Sequence, residues 1–282
     1  MQIHDRIIDN IKKSTFHKHI YLTESGDHAI LGIMHYIKNA GVVQVIIPDK
    51  GGWITYKQYS KKLKLEAVEM KTDRGVVILE ELEKLCCDAG NKGLKTALLV
   101  TSFAGYYAEQ PLDKISEICR KYNVLLIEDT NAFGDNSSKN RLCNGKLSDI
   151  IVGSFGKWKV VNNYHGGFIS SNLKEVIECL EDANIAEKIK PKNLEEKKLL
   201  GNLEKAPLRL KFLMETAEKI KKELSAQGIK IFHKDKRGIG VVTEHKSEVI
   251  DYCKKHNYHY EECTRNIRVN EKAISIELKR IE

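Results

Sequence analysis

The sequence contains no Cys-x-x-Cys pair, although it has seven cysteines. The number is odd, so the pattern predicts neither a disulfide framework nor a zinc site, and we predict no metal site of any kind. Several of the cysteines fall within helical patterns, as Cys119 does in LDKISEICRKY. Free cysteine packs like a small apolar side chain, and we predict that these residues are reduced packing residues.

Long apolar runs and basic blocks are absent as well. No stretch approaches the roughly 18 apolar residues that a membrane-spanning helix needs. The first residues, MQIHDRIIDNIKK, lack the continuous apolar core of a signal peptide, so we expect a cytoplasmic protein with no membrane part. The net charge of +8 is spread along the chain, which makes nucleic acid an unlikely partner. An RNA-binding surface remains the weakest alternative, testable by salt-dependent retention on nucleic acid.

Short apolar runs alternate with helix-length segments through the first 170 residues. With 282 residues, 41% of them hydrophobic, the chain can bury a large core. Alternating strands and helices predict an α/β fold with a mainly parallel sheet covered on both faces. The predicted strands are 19–22, 42–47, 65–70, 96–101, 123–129, 150–152 and 166–171, and the predicted helices are 27–39, 53–62, 77–87 and 112–122.

The remainder of the chain predicts a helical connection followed by a smaller unit. Residues 173–227 are rich in Lys, Glu and Leu, which indicates helices with a break near Pro191 and a new start near Pro207. We predict a large α/β domain over 1–185 and, over 186–282, the connection with a small C-terminal α/β domain. That small domain is predicted from strands at 229–232, 239–243, 258–261 and 273–278 and a helix at 247–256.

Candidate functional residues follow the predicted strands, because ligands bind beyond the carboxyl ends of the strands in such sheets. Ser25-Gly26-Asp27 lies between a strand and a helix, where free backbone N–H groups can hold an anion. Asp129 ends the run NVLLIED, and the segment SFGKWK, which contains Lys157 and Lys159, follows the strand at 150–152. Read singly, these residues are better explained by helix capping, a turn carboxylate and solvated surface lysines.

Their order and spacing resemble the large domain of fold-type I pyridoxal-phosphate enzymes, and most of all the DegT/DnrJ/StrS sugar aminotransferases. The segment SFGKWKVVNNYHGG has the form S-F-x-x-x-K followed by G-G that is typical of that family. The resemblance covers residues 19–172 and identifies Lys159, rather than Lys157, as the Schiff-base lysine. It implies a three-layer fold with a mainly parallel seven-stranded sheet, pyridoxal 5'-phosphate as the cofactor, and a homodimer with shared active sites.

The same resemblance implies roles for further residues. Asp129 would pair with the protonated ring nitrogen, Ser154 would donate to the phosphate, and Trp53 would stack on the ring, although a core tryptophan is an equal alternative. Asn131 would contact the ring hydroxyl. The Ser25-Gly26-Asp27 loop stands where the family has Ser-Gly-Thr, so an acid replaces threonine beside the phosphate.

Three more residues are weaker substrate-binding candidates. His165 lies in the Tyr164-His165 pair that replaces the family's Gly-Glu before Gly166-Gly167, and a structural role is its commoner explanation. Arg265 and Arg268 could clamp a substrate carboxylate, although exposed arginines in a turn are more common. The chain is also shorter than most family members, which leaves the substrate less defined than the cofactor.

The sequence therefore predicts a pyridoxal-phosphate-dependent aminotransferase in which Lys159 and Asp129 are catalytic. It would carry an amino group from a small amino donor, such as glutamate, to a keto acceptor, such as a keto-sugar nucleotide. Two alternatives keep the fold: another amino-acid enzyme with the same cofactor (a lyase, desulfurase or aldolase), or a binding or regulatory protein without activity.

Overall fold

The computed structural model describes residues 2–264 and 269–281. Its helices are α1 (Ile3–Thr15), α2 (Gly26–Asn39), α3 (Ile54–Leu63), α4 (Leu79–Asn91), α5 (Leu112–Lys121), α6 (Lys174–Leu180), α7 (Ala183–Ile189), α8 (Glu196–Ala226) and α9 (Ser247–Lys255). Its strands are β1 (His19–Thr23), β2 (Gln44–Pro48), β3 (Glu66–Met70), β4 (Thr72–Asp73), β5 (Val76–Val77), β6 (Thr96–Thr101), β7 (Leu125–Thr130), β8 (Ile150–Ser154), β9 (Gly167–Ser171), β10 (Val241–Glu244), β11 (Tyr260–Cys263) and β12 (Ala273–Ile276). Short 3₁₀ turns lie at Gly105–Tyr107 and Leu278–Arg280.

Seven strands form the main sheet, in the order β1-β9-β8-β7-β6-β2-β3. Strands β8, β7, β6, β2 and β3 pair in parallel, while β9 is antiparallel to both β8 and β1. Strand β9 is therefore the one that runs against the other six strands of this sheet. The predicted mainly parallel, seven-stranded sheet is confirmed.

The sheet is the middle of three layers, because successive strand residues face opposite sides. Ile46 and Leu98 belong to a core that also contains buried residues of α1, α4, α5 and α8. Their neighbours Val45 and Leu99 belong to a second core, shared with α2, α3, α6 and α7. This burial on both faces explains why the strands read as nearly continuous apolar runs.

A smaller antiparallel sheet, β10-β12-β11, forms the C-terminal unit together with α9. The predicted strand at 229–232 is wrong as a regular strand. Ile231 forms only an isolated bridge with Thr243, since the chain turns immediately afterwards through His233, whose φ is +50°. The strands predicted at 239–243, 258–261 and 273–278 correspond to β10, β11 and β12.

Helix α8 runs without interruption past Pro207, so the predicted new helix start at that residue is wrong. A proline inside a helix is unfavourable by about 3 kcal/mol. However, Leu203 and Leu210 on either side of it are buried in the same core. Each such buried side chain contributes about 1.5–3 kcal/mol, so the continuous apolar face outweighs the proline.

The division into 1–185 and 186–282 stays a prediction. Helix α7 crosses it and packs against α2, with Ile189 beside Gly32, so a boundary after α7 would keep that contact within one domain. Within residues 2–264 and 269–281, no helix is both long enough and apolar enough to span a bilayer.

Candidate active site

A cavity of about 310 Å³ lies at the carboxyl edge of the main sheet, where β1, β2, β6, β7 and β8 end. The small C-terminal sheet closes one side of it through Glu277, Lys279 and Arg280. Every residue predicted to bind the cofactor lines this cavity: Ser25, Gly26, Asp27, Trp53, Asp129, Asn131, Ser154 and Lys159. The structure therefore brings together residues that are up to 134 positions apart in the sequence.

The N-terminus of α2 forms one wall. Ser25 caps this helix: its backbone is extended, with φ −162°, and its hydroxyl accepts a hydrogen bond from the His28 backbone N–H. The backbone N–H groups of a first helical turn have no partner within the helix, and the helix dipole favours negative charge there. The same short segment can therefore contain both the helix cap at Ser25 and the predicted anion-binding loop.

Gly26 lets α2 approach the end of β8. A Cβ atom at Gly26 would lie 2.6 Å from the Cβ of Ser154, which is closer than two carbon atoms can approach. Strand β8 and helix α2 therefore meet at a point where only glycine fits. This contact places the Ser154 hydroxyl beside the backbone N–H groups of the first turn of α2. The hydroxyl and these N–H groups can then bind the same anion.

We predict that Gly26→Ala destabilises the protein by about 1–3 kcal/mol, because the added methyl overpacks this junction. The free energy of unfolding, measured with urea, checks this. Gly201→Ala is the matched control, since a Cβ atom at Gly201, inside α8, meets nothing within 4 Å. That control should be as stable as the wild type or slightly more stable. Equal stability of the two variants would contradict the prediction.

The carboxylate of Asp27 is held by the start of α3. Trp53 Nε1 donates to Asp27 Oδ1 over 2.6 Å, and Thr55 Oγ1 donates to the same oxygen over 3.3 Å. These two hydrogen bonds satisfy one oxygen of the Asp27 carboxylate, which lies in the first turn of α2. The acid that replaces the family's threonine therefore has a structural task in this chain, the orientation of Trp53.

Asp129 is the last residue but one of β7 and lines the cavity. The Tyr56 hydroxyl donates to Asp129 Oδ2 over 2.6 Å, and the Asp129 backbone carbonyl accepts from Ser102 N over 3.2 Å. Asp129 is half-buried, whereas Tyr56 is 1% exposed. The Tyr56 hydroxyl thus gives the Asp129 carboxylate a hydrogen-bond partner that is shielded from water.

The preceding residue, Glu128, points to the opposite face of the sheet and is completely buried. It accepts hydrogen bonds from Ser102 Oγ (2.5 Å), Cys143 N (2.6 Å) and Ser148 Oγ (2.9 Å). Burial nevertheless raises the pKa of this carboxyl above its usual range. These hydrogen bonds attach the segment that follows β7 to the sheet. They therefore hold the end of β7, which includes Asp129, in place.

The structure separates the two lysines of the segment after β8. Lys159 is half-buried, and its Nζ lies 5.6 Å from the centre of the Trp53 ring. Lys157 is exposed, with its Nζ 4.6 Å from the ring centre of Trp158 on the cavity rim. Both lysines line the cavity, and Lys159 is the one whose amine lies beside the Trp53 ring.

Asn131 is engaged with the backbone of a neighbouring loop. Its Oδ1 accepts from Phe103 N over 2.8 Å, and its Nδ2 donates to Phe103 O over 2.9 Å. This pair of bonds holds the segment after β6 against the end of β7. The predicted contact between Asn131 and a ring hydroxyl stays a prediction.

Of the three weaker substrate candidates, His165 is the one that the structure describes; it is exposed and does not line the cavity. Arg265 and Arg268 lie outside the described residues. The described ranges, which omit 265–268, contain no cluster of three or more His, Cys, Asp or Glu residues placed to bind a metal.

Other residues that line the cavity or lie directly beneath it were missed by the sequence reasoning. Thr101 and Tyr56 escaped notice because an apolar strand and an amphipathic helix explained them, although Tyr56 lies three positions after Trp53. Lys279 and Arg280 belong to a short turn after β12 and reach the cavity only through the fold. Arg280 contacts Glu261 over 2.8 Å, and its guanidinium carbon lies 4.1 Å from the Trp158 ring centre.

A sequence profile of the DegT/DnrJ/EryC1/StrS aminotransferase family matches residues 10–203, well over half of the chain. The chain belongs to this family. The resemblance to this family, which the lysine segment and Asp129 indicated, is confirmed. The predicted cofactor of the family, pyridoxal 5'-phosphate, is confirmed with it.

Two curated relatives of this family member come from Campylobacter jejuni, and both are named UDP-4-amino-4,6-dideoxy-N-acetyl-beta-L-altrosamine transaminase. Each is 32% identical, over 120 and 116 residues respectively. The alignments cover 42% and 40% of this chain but only 30% and 29% of the relatives. The chain thus matches less than a third of the length of these proteins.

Solved structures share the fold at low identity. Serine palmitoyltransferase from Sphingomonas wittichii has a TM-score of 0.73 at 15% identity, over 98% of this chain and 70% of that one. The SepCysS–SepCysE N-terminal domain complex has a TM-score of 0.72 at 17% identity, over 100% of this chain and 81% of that one. These likenesses concern the fold alone, and they confirm the predicted fold-type I class.

The residues of this DegT-family cavity fit pyridoxal phosphate. The helix N-terminus at Gly26, with Ser154 packed against it, offers donors to a phosphate. Lys159 supplies an amine beside the flat face of Trp53, and Asp129 supplies a carboxylate at the end of the neighbouring strand. Asp27 is the one departure, and its engagement with Trp53 removes part of the conflict with a phosphate.

Proposed function

We propose that this protein is a pyridoxal-phosphate-dependent aminotransferase that moves an amino group from a small amino donor to a keto acceptor. The observation that carries the proposal is the meeting of Lys159, Asp129 and the Gly26–Ser154 junction in one cavity. When bound, the cofactor supplies the electron sink and the carrier for the amino group.

Each residue then has a task that follows from its position. Lys159 would hold the cofactor through Nζ, and its free amine would move a proton as general base and acid. Asp129 would hold the ring nitrogen in its protonated form. Trp53 would cover one face of the ring and keep water from it. Ser154 and the first turn of α2 would bind the phosphate.

We propose a sugar nucleotide with a keto group as the acceptor. The support is the name of the two curated relatives, which describes them as transaminases of a UDP-linked amino sugar. The rim of the cavity is consistent with an anionic substrate, because Lys279 and Arg280 line it from the small C-terminal sheet. Glutamate is the proposed amino donor.

Single half-reactions test the function. The protein is loaded with pyridoxal phosphate, dialysed, and mixed with L-glutamate; the expected products are 2-oxoglutarate and the amine form of the cofactor. In the reverse direction, the UDP-linked amino sugar should replace glutamate as the donor. If neither donor changes the cofactor absorbance or releases a keto product, the proposal is wrong.

We predict that Asp27→Asn increases the affinity for an anion. The amide keeps an oxygen for Trp53 Nε1 but removes a negative charge from the wall of the cavity that binds the phosphate. The expected gain is about threefold to tenfold, typical of one screened charge interaction. Calorimetric titration with inorganic phosphate and with pyridoxal phosphate measures it. Unchanged affinity for both would show that the Asp27 carboxylate does not act on the anion.

A desulfurase, the main alternative among enzymes with this cofactor, is disfavoured by the cysteines. All seven lie in the described ranges, and none lines the cavity. Burial raises the pKa of Cys86 to about 12 and that of Cys253 to about 11. Such thiols are not nucleophilic at neutral pH, and a desulfurase needs a reactive, mobile cysteine.

We also propose a homodimer in the cytoplasm. The support for the dimer is the resemblance, because family members share active sites between subunits. The exposed aromatic side chains Trp158 and Tyr164 beside the cavity mouth fit such a contact. Light scattering of the purified protein measures the oligomeric state, and a monomer at micromolar concentration would contradict it.

A further inference from the structure

The first turn of α3 contacts two of the three carboxylates that line the cavity, those of Asp27 and Asp129. Trp53 and Thr55 donate to Asp27, and Tyr56 donates to Asp129. The two acids belong to different strand–helix connections, one after β1 and one at the end of β7. A single helical turn therefore fixes two acids that are 102 positions apart in the chain.

The direction of the hydrogen bonds around Tyr56 follows from its chemistry. A tyrosine hydroxyl has one proton, and an ionised carboxylate can only accept, so the proton of Tyr56 points to Asp129 Oδ2. The bond between Tyr56 Oη and Thr101 Oγ1, 3.0 Å long, must then be donated by the threonine. The three side chains form a directed series from Thr101 through Tyr56 to Asp129.

This series is part of the sheet edge and not a chance surface contact. Tyr56 is 1% exposed and Thr101 is 6% exposed, so water does not compete for their hydroxyls. Thr101 and Asp129 are directly paired residues of the neighbouring parallel strands β6 and β7. Helix α3 covers that pair from one side, which places the tyrosine ring in the core beneath the cavity.

We propose that Tyr56 is a positioning residue that keeps Asp129 ionised and correctly oriented for the ring nitrogen of the cofactor. This inference rests on the proposed function and assigns a role in it to one further residue, Tyr56. A half-buried carboxylate without donors is desolvated and tends to take up a proton. Protonated Asp129 could not hold a protonated ring nitrogen. The Tyr56 hydroxyl favours the anion and restricts rotation of the carboxylate before any ligand binds.

The experiment uses 4-deoxypyridoxine 5'-phosphate, which has the ring nitrogen and the phosphate but no aldehyde, so its binding does not depend on Lys159. The full-length wild type, Tyr56→Phe and Thr101→Val are titrated with this probe and with inorganic phosphate. We expect Tyr56→Phe to bind the probe about tenfold more weakly, equivalent to about 1.4 kcal/mol. Its affinity for inorganic phosphate should be unchanged. Thr101→Val should show a smaller loss in the same direction.

A matched substitution on the same helix controls for general damage. Tyr59, a half-buried tyrosine three residues after Tyr56, is changed to phenylalanine, and thermal unfolding of all variants is recorded. Tyr59→Phe should bind the probe like the wild type. The ultraviolet absorbance of the bound probe gives a second readout, because it reports protonation of the ring nitrogen. The protonated fraction should fall in Tyr56→Phe.

The possible outcomes distinguish a failure of this inference from a failure of the proposed function. If the wild type binds the probe and Tyr56→Phe binds it equally well, with the same absorbance, Tyr56 has no positioning role, while the proposed function stands. If the wild type binds inorganic phosphate but not the probe, the ring site does not exist, and the proposed function is overturned together with the inference. A loss in Thr101→Val would support the series even if Tyr56→Phe folded poorly.

Discussion

Lys159→Ala should abolish amino transfer and the covalent attachment of the cofactor. The substitution removes the amine that lies 5.6 Å from the Trp53 ring centre and, with it, the group that moves the proton. Proton transfer by a positioned side chain contributes about 10²–10⁴-fold to a rate. We therefore expect a loss of at least roughly 10³-fold in turnover, because covalent binding is lost as well.

Borohydride reduction followed by peptide mapping gives a direct measurement. In the wild type, the pyridoxyl label should be found on Lys159, and in Lys159→Ala it should disappear. Lys157→Ala is the matched control, because this lysine is exposed and two positions away, and it should keep the label on Lys159. A label on Lys157 in the wild type, or one that persists in Lys159→Ala, would contradict the assignment.

Much of the fold could be predicted from the sequence, because a sheet buried on both faces produces apolar runs of limited length. The runs TALLVT and NVLLIED are strands β6 and β7 with small shifts at their ends. The cavity lies where the same pattern predicts a ligand site, since parallel strands end at one edge and Asp129 and Ser154 lie within one residue of the ends of β7 and β8.

Other elements depend on contacts that the local sequence does not contain. Helix α1 was not predicted, because charged and apolar residues alternate in MQIHDRIIDNIKK. The helix buries Ile7 and Ile11, and it packs against α8. The continuity of α8 through Pro207 depends on its long buried face. The pairing of Tyr56 with Asp129 joins a helix to a strand 73 positions away, and no local spacing signals it.

The same limit applies to the far wall of the cavity. Glu277, Lys279 and Arg280 reach it because the small C-terminal sheet packs against the segment after β6. Tyr107 is the link: its hydroxyl donates to Glu277, and a Cβ atom at Gly240 would lie 2.5 Å from its ring. Contacts of this kind are set by the path of the whole chain. Sequence reasoning therefore named more residues on the side of the cavity formed by the main sheet than on the side formed by the small C-terminal sheet.

Asp129→Asn should reduce turnover by roughly 100-fold or more, comparable with the loss of one preorganised charge contact at an active site. Asparagine has nearly the same volume and keeps an oxygen that can accept from Tyr56, so the packing beneath the cavity is preserved. What is lost is the negative charge that holds the ring nitrogen protonated. Attachment to Lys159 needs no charge at that position, so the borohydride label on Lys159 should remain.

The comparison with Asp27→Asn makes this prediction specific. Both substitutions remove one negative charge from the same cavity, and both keep an acceptor for the neighbouring donor. If only the total charge of the cavity mattered, the two variants would change cofactor affinity in the same direction. We expect opposite directions, because the proposed function assigns Asp27 to the phosphate end and Asp129 to the ring nitrogen. Half-reaction rates with L-glutamate and titrations with pyridoxal phosphate measure the difference, and parallel changes in the two variants would refute the assigned roles.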